Sequence, residues 1–389
     1  MKLAFHYHIN LVNKYNRYYL PGYFGIFIDE LAKQVDELTL LFFEANEKEM
    51  HEADYELTAK NIKWLNMGPH KPAWHRSLNY RQHLAPLKKV FDDCDIVIVR
   101  GPTPLAPYFK KYVSSEKLVY MVVGDYKEGA KQFKVNGFRD WVITWYLKHN
   151  DYLFRKALKN NFVLVNSTAL LETYQHLTPQ IHLIKTTTLR LNDFYNRNDT
   201  CQNKNINILY TGRIDRAKGL FELLEAIAIL KDVNYKLNIV GWELGDKKIV
   251  TQELINLAEH LGITNQVIFH GKKNIGEELN SYYRMSDIYV IPTHFEGFPR
   301  TIWEAMANSL PVIATKVGGI PHHLTHLENA VLINPKQTNE IKLAIQKLVN
   351  DSTLRQNLIK TGRTLAEEST LEIQTKQLVN LIKEHLIND

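Results

Sequence analysis

The sequence predicts an α/β protein of two domains, each a parallel sheet with helices on both faces. Three observations carry that expectation. The chain has 389 residues, and at ~100–200 residues per domain that length makes two cores rather than one. Short apolar runs alternate with longer amphipathic ones, most regularly after residue 205, which is the pattern of a parallel sheet. Between the halves, residues 192–205 (NDFYNRNDTCQNKN) are polar, Asn-rich and without periodicity, as a domain boundary would be.

Lys2–Tyr7 is expected as the first strand. Pro21-Gly22 then turns the chain into a helix over Tyr23–Gln34. Leu38–Phe43 and Ile62–Leu65 follow as strands. Leu84, Leu87 and Phe91 recur at helical spacing and predict a helix over Arg81–Phe91. Asp95–Val99, Leu118–Val123, Val163–Asn166 and Ile181–Lys185 complete the strands of the first half, with Ser167-Thr168 starting a helix. In the second half, strands are expected at Ile206–Thr211, Tyr235–Val240, Val267–His270, Asp287–Pro292, Leu310–Thr315 and Ala330–Ile333. Helices alternate with them near Leu220–Ile227, Thr251–Leu261, Gly276–Met285, Pro299–Asn308 and Asn339–Val349, and Leu365–His385 reads as one long final helix.

Composition narrows the class. Hydrophobic residues are 45% and charged residues 23%, which excludes a disordered or fibrous chain. Two cysteines, Cys94 and Cys201, exclude a disulfide framework and fit a reducing compartment. No apolar run approaches the ~18 residues of a membrane span, and the first residues lack a signal-peptide pattern. A cytoplasmic location is expected. The net charge of +6 is concentrated: residues 60–160 hold 19 basic and 8 acidic side chains. Over residues 100–160 that segment is also rich in Tyr, Phe and Trp, which suits an anionic membrane surface and a peripheral place on the inner face. It also suits stacked single-stranded bases, although nucleic acid is not the expected partner. A solvated basic face over a Tyr-rich core is the plain alternative.

In parallel sheets, chemistry sits beyond the carboxyl ends of the strands. Three loops there are distinctive. Gly212-Arg213 through Lys218-Gly219 sets two cations at the mouth of a helix, which makes an anion site. His294 to Ala307 carries Glu296 on the loop and Glu304 inside the helix, two carboxylates suited to sugar or ribose hydroxyls. Gly297, Phe298 and Pro299 lie between them, with Pro299 at the expected first helical position. Val317-Gly318-Gly319 lets backbone approach a ligand closely. Together they offer cations for a diphosphate and carboxylates for a sugar, the requirements of a sugar-nucleotide site.

The stretches GRIDRAKG (Gly212–Gly219), SDIYVIPTHFEGFPRTIWEAMA (Ser286–Ala307) and PVIATKVGGIP (Pro311–Pro321) resemble retaining glycosyltransferase family 4, including its E-x7-E spacing at Glu296 and Glu304. The resemblance implies a GT-B fold: two Rossmann-like α/β/α domains facing across a cleft, with the C-terminal helix crossing back to the first. It implies an acceptor-binding domain over 1–195, a donor-binding domain over 206–370 and a returning helix over 371–389. Arg213 and Lys218 would hold the diphosphate, Glu304 the ribose, and Glu296 with the amides after it the transferred sugar. In the first half the match is looser. Gly22 stands at the first glycine of a usual Gly-Gly pair, but Tyr23 stands at the second. Asp125, after Val123-Gly124, takes the place of a family His or Asp, and Thr186–Thr188 stands where Pro-Asn-Gly is frequent.

The resulting expectation is a retaining hexosyltransferase that uses a UDP- or GDP-sugar and a glycan or lipid-linked acceptor in cell-surface polysaccharide or glycoconjugate synthesis. Glu296, Asp125, Arg213 and Lys218 are its expected catalytic residues. Gly22, Gly212, Arg213, Lys218, Glu296, Gly297, Phe298, Pro299 and Glu304 are expected at the donor. No cofactor or metal is expected. Asp93-Cys94-Asp95 spells a D-x-D, but it precedes a strand on the wrong side of the sheet, and adjacent His322-His323 would point apart on a helix. The rivals are a sugar-nucleotide epimerase of the same fold and a non-catalytic basic surface or nucleic-acid-binding protein.

Overall fold

The structure, a computed structural model, describes residues 1–46, 50, 53–126, 137–230, 234–245 and 248–388. The chain forms two units, Met1–Thr186 with Glu372–Asp389, and Thr187–Leu371.

The first unit holds β1 (Lys2–His6), β2 (Val12–Lys14), β3 (Arg17–Leu20), β4 (Glu37–Glu44), β5 (Tyr55–Glu56), β6 (Ile62–Pro69), β7 (Ile96–Gly101), β8 (Leu118–Val122), β9 (Phe162–Val165) and β10 (Ile181–Leu183). Seven of them form a parallel sheet in the order β10-β9-β8-β7-β1-β4-β6. Both faces are covered, so the strands read as continuous apolar runs. Ala4, Val97, Val99 and Tyr120 pack one way, against Phe91, Leu105 and Phe154. Leu3, Phe5, Ile96 and Ile98 pack the other way, against Phe24, Ile28 and Leu31. Leu378, Val379 and Ile382 of the last helix, Leu371–Asn388, join that second layer. A small antiparallel sheet, β2-β3-β5, was not signalled by the sequence pattern.

The second unit holds β11 (Asn205–Thr211), β12 (Asn234–Val240), β13 (Val267–Gly271), β14 (Ile288–Ile291), β15 (Val312–Thr315) and β16 (Val331–Ile333). They form one parallel sheet, β13-β12-β11-β14-β15-β16. Alternate residues again enter opposite layers: Ile208, Tyr210, Ile288 and Val290 on one face, Leu209, Tyr289 and Ile291 on the other. Strand order reverses between β11 and β14. Connections leave that point in opposite directions and open a crevice at the carboxyl ends. Both sheets have the doubly wound order, and the fold is GT-B.

Several expected bounds shift for physical reasons. Arg81–Phe91 is not one helix. Pro86 lacks an N–H, and the segment breaks into Tyr80–Leu84, a tight turn at Ala85–Leu87 and Lys88–Asp93. The final helix is two, Ser352–Glu367 and Leu371–Asn388, because Ser369 and Thr370 are buried between them and the Leu371 amide bonds the Leu189 carbonyl at 2.7 Å. The helix after β14 begins at Thr301, not Pro299; Pro299 supplies the carbonyl that the Ile302 amide meets. The units part at Thr186/Thr187, so residues 192–205 lie inside the second unit. There Leu189 is buried, and the Arg197 guanidinium donates to the carbonyls of Ser309, Arg284 and Tyr283. A 21-residue helix, Phe138–Leu158, runs through the basic aromatic segment, which the apolar pattern did not mark. Among the described residues no helix is long and apolar enough to cross a membrane.

Candidate active site

The site is assembled by backbone contacts that exclude side chains. β11 ends at Thr211, and Gly212 follows at φ +147°. A Cβ on Gly241, just past β12, would lie 1.7 Å from the Gly212 carbonyl oxygen. The loop then makes a tight turn over Arg216–Lys218, capped by the Asp215 carboxylate, which accepts from the Ala217 amide at 2.9 Å. Gly219, at φ +69°, opens the helix Leu220–Ala228; a Cβ there would sit 2.0 Å from the Pro292 carbonyl oxygen. The loops after β11 and β14 are therefore in contact. The His294 amide and the Thr293 hydroxyl both donate to the Ala217 carbonyl, at 2.7 and 3.1 Å.

The loop after β15 closes on the same place. Gly318 has φ +53°, and its Cβ would fall 1.6 Å from the Glu296 carbonyl oxygen. The Gly319 amide donates to the Gly297 carbonyl at 2.5 Å. Phe298 stacks on Trp303, with ring centroids 4.5 Å apart, and the His323 ring packs edge-on to Phe298 at 4.8 Å.

Within this frame the charged side chains divide. Lys218 is buried, and its ammonium donates to the Glu296 carboxylate at 2.5 Å. Arg213 is exposed and its guanidinium makes no hydrogen bond or ion pair among the described residues; its carbonyl accepts from the Tyr210 hydroxyl at 2.7 Å. Glu304 is buried on the helix Thr301–Ala307. One of its oxygens accepts from the Thr188 hydroxyl at 2.9 Å and the other from the Tyr283 hydroxyl at 2.8 Å. The Thr211 and Tyr283 hydroxyls lie 2.7 Å apart, and the Tyr289 hydroxyl donates to Thr301 at 2.7 Å. Burial, then the Glu304 charge, holds the Tyr283 phenol well above its ordinary range, so it remains a donor. An ionised carboxylate has about four acceptor positions, so Glu304 retains room for hydroxyls beyond its two protein partners.

Arg213, Lys218, Glu296, Gly297, Phe298, Pro299 and Glu304 thus gather with Gly212 at one edge of one sheet. Sequence reasoning missed Tyr283 and the role of Thr188. Each is set by tertiary contact, and neither stands in a motif.

Gly22 and Asp125 belong to the first unit. Gly22 opens the helix Gly22–Ala32, and its amide already donates to the Asp54 carboxylate at 2.6 Å. The close glycine of that helix is Gly25, whose Cβ would meet the Tyr55 ring at 2.5 Å. Asp125 follows β8, and one of its oxygens lies 4.0 Å from the Arg155 guanidinium, which also bonds Asp151 at 2.8 Å. A cavity of about 250 Å³ opens beside His8, Asn10, Pro21, Tyr23 and His70. Burial, then the nearby Arg76 and Arg100, lowers the His8 pKa to about 4, so its ring is neutral near pH 7.

The acids of the D-x-D serve the fold: Asp93 pairs with the Lys2 ammonium at 3.1 Å and Asp95 accepts from the Lys2 amide at 2.7 Å. Among the described residues no three His, Cys, Asp or Glu side chains cluster as metal ligands would.

Comparison with known proteins follows the same division. Residues 194–365 match the family of glycosyl transferases group 1. An uncharacterized glycosyltransferase of Methanocaldococcus jannaschii is 31% identical over 178 residues, 45% of this chain and 44% of that protein. The capsular polysaccharide biosynthesis glycosyltransferase CapM of Staphylococcus aureus is 31% identical over 167 residues, 42% of each chain. The chain spans less than half the length of these curated relatives. Over whole chains the fold is that of sucrose-phosphate synthase from Thermosynechococcus elongatus, with a TM-score of 0.74, 18% identity and 100% of both chains covered. It is also that of Anabaena HepE solved with UDP, with a TM-score of 0.71, 18% identity, and 99% and 100% covered.

Proposed function

We propose that the protein is a cytoplasmic, retaining, metal-independent glycosyltransferase. It transfers a hexose from a UDP- or GDP-sugar to a glycan or glycolipid acceptor in the synthesis of a cell-surface polysaccharide or glycoconjugate. The observation that carries the reading is the pairing of a buried cation, Lys218, with Glu296 at the same sheet edge as the buried carboxylate Glu304. HepE, of the same fold, was solved with UDP and with UDP-glucose, and CapM is named for capsular polysaccharide synthesis.

In this reading Glu304 accepts from the ribose hydroxyls, while Tyr283 and Thr188 fix its orientation. Lys218 and Arg213 meet the diphosphate, whose charge grows as the bond from the anomeric carbon to the β-phosphate oxygen breaks. Cations already in place stabilise that charge without reorganisation. The acceptor hydroxyl oxygen bonds the anomeric carbon from the face the phosphate leaves, and its proton passes to the departing phosphate oxygen. Configuration is kept without a protein nucleophile. Glu296 and the amides of Gly297 and Phe298 position the hexose. Asp125 is read as a further catalytic residue and Gly22 as a further donor residue.

Thermal unfolding in EDTA with UDP, GDP, ADP and CMP and their sugars tests the donor. A ligand at ~100 times its Kd adds about 2.7 kcal/mol of stability. One nucleotide family should stabilise the wild type and not Glu304→Ala. Stabilisation by none of them at millimolar concentration would sink the reading. An epimerase would consume donor without releasing nucleoside diphosphate, whereas a transferase releases it faster once acceptor is added.

A further inference from the structure

The helix Phe138–Leu158 is two-faced in an unusual sense. Its inner face, with Phe154, Ala157 and Leu158, is buried in the first unit. Its outer face exposes Trp141, Trp145, Lys148, His149, Tyr152 and Lys156. These positions recur at three- and four-residue steps and make one stripe along the helix. The indoles of Trp141 and Trp145 are 57% and 55% exposed and Tyr152 is 63% exposed. Large aromatics at such exposure, aligned over residues 141–152, present a strip of apolar area to solvent, with Trp145 stacked on His149 within the strip at 5.4 Å. The described exposed positions of this helix include no acid: Asp140 is half-buried, and Asp151 is buried against Arg155.

Neighbouring elements repeat the chemistry. Trp74 and Leu78, on the short helix Ala73–Leu78, are 56% and 74% exposed. Ser77 of that helix lies 3.4 Å from the Tyr108 hydroxyl. Lys110 donates to the Lys156 carbonyl at 3.1 Å, which brings the Lys110–Lys111 pair beside the stripe. Lys111 and Arg81 lie over the Tyr80 ring, itself stacked on Tyr108 at 4.0 Å.

We infer that this face docks the protein on an anionic lipid bilayer, with the Trp and Tyr rings at headgroup depth and the lysines against lipid phosphates. Indole and phenol rings with an apolar body and a polar edge settle at that interface. Lys148 and Lys156 on the stripe, with Lys110 and Lys111 beside it, supply the charge complementarity. The face stands apart from the transfer reading, because partitioning is measured without donor or acceptor.

The test is co-sedimentation of the full chain with vesicles of phosphatidylcholine alone and of phosphatidylcholine mixed with phosphatidylglycerol, with Trp emission followed in parallel. Binding to the mixed vesicles only, weakened by salt and accompanied by a blue shift, is the expected result. Lys148→Glu with Lys156→Glu should lower partitioning at least about tenfold. Trp141→Ser with Trp145→Ser should lower it and remove most of the blue shift. All four positions are solvent-facing, so an unchanged melting temperature checks that the variants fold. Equal partitioning of wild type and charge-reversed protein overturns the inference, as does no binding to either vesicle. Salt-sensitive retention of a single-stranded oligonucleotide in place of vesicles would assign the face to nucleic acid. A concentration-dependent dimer abolished by the Trp variants would assign it to a second copy.

Discussion

The Lys218 ammonium donates to the Glu296 carboxylate across 78 residues of sequence, at 2.5 Å. An incoming diphosphate would compete with Glu296 for that cation, so the two side chains are coupled through the ligand. Lys218→Ala is expected to weaken nucleotide binding and to lower kcat by about 100- to 1,000-fold, the scale for removing one placed transition-state donor. Glu296→Gln is expected to do two opposite things. It should tighten binding of the free nucleoside diphosphate several-fold, because a competing anion is gone, and it should lower turnover. Isothermal titration beside steady-state kinetics separates these effects; a Glu296→Gln protein that binds the nucleotide more weakly would contradict the coupling.

Glu304 accepts from Thr188 and Tyr283 while buried. Tyr283→Phe removes one charge-assisted hydrogen bond, at a cost of about 1.5–3 kcal/mol, and frees the carboxylate to turn. Its expected signature is a raised KM for donor and a lowered melting temperature, with kcat changed less. Glu304→Gln should abolish the nucleotide-induced melting shift while the protein remains folded. A shift as large as that of the wild type would remove Glu304 from the donor site.

Gly318 is a backbone requirement of the site. Its φ of +53° and the Glu296 carbonyl 1.6 Å from any Cβ leave no place for alanine. Gly318→Ala is expected to destabilise the second unit by at least about 2 kcal/mol in urea unfolding and to remove activity. Gly137→Ala, at the N-cap of the helix Phe138–Leu158 but with nothing within 4 Å of the added carbon, should cost no more than about 1 kcal/mol.

The second sheet, its six strands and the three loops at its edge were legible because each leaves a local trace. Strands buried on both faces are apolar runs, and the close backbone contacts of Gly219, Gly318 and Gly319 demand residues without a Cβ. What the sequence did not disclose is held by distant partners. Tyr283 reaches Glu304 from a different helix, and Arg197 binds three carbonyls from two other segments. The helix Phe138–Leu158 has an outer face as aromatic as its inner one, so apolar periodicity fails there. The aromatic and basic excess was visible, but its confinement to one helical face was not.

Acid sensitivity should arise in the first unit. His6 is fully buried, with its Nδ1 2.8 Å from the Leu41 carbonyl, and burial lowers its pKa to about 3. Above pH 6.5 both folded and unfolded chains hold this ring neutral. Below that value the unfolded chain takes up a proton that the folded chain refuses, so stability falls as pH drops, until about pH 3. Between pH 7 and 5 this one ring should cost roughly 2 kcal/mol. His6→Gln, which keeps a polar group but cannot titrate, should flatten that part of the profile. A wild-type and variant difference that stays constant from pH 7 to 5 would show that His6 titrates normally.

The segment expected as the domain boundary is clamped inside the second unit. Arg355 is buried, bonds both Asp199 oxygens at 2.8 and 3.0 Å, and donates to the carbonyls of Leu348 and Val349 at 2.6 and 2.9 Å. The side chain thus ties residues 199–201 to the end of the helix Thr338–Asn350 and to its own helix. Removing one partner of such a pair leaves a carboxylate without its counter-charge, at a cost of about 3–5 kcal/mol. Arg355→Met should therefore destabilise the second unit strongly. Asp199→Asn should cost less, because an amide oxygen still accepts from the guanidinium. Combining the two should cost less than the sum of the single changes, since each already breaks the same pair. Denaturant unfolding of the four proteins in a double-mutant cycle measures the coupling, and simple additivity would mean that the clamp contributes nothing beyond its separate contacts.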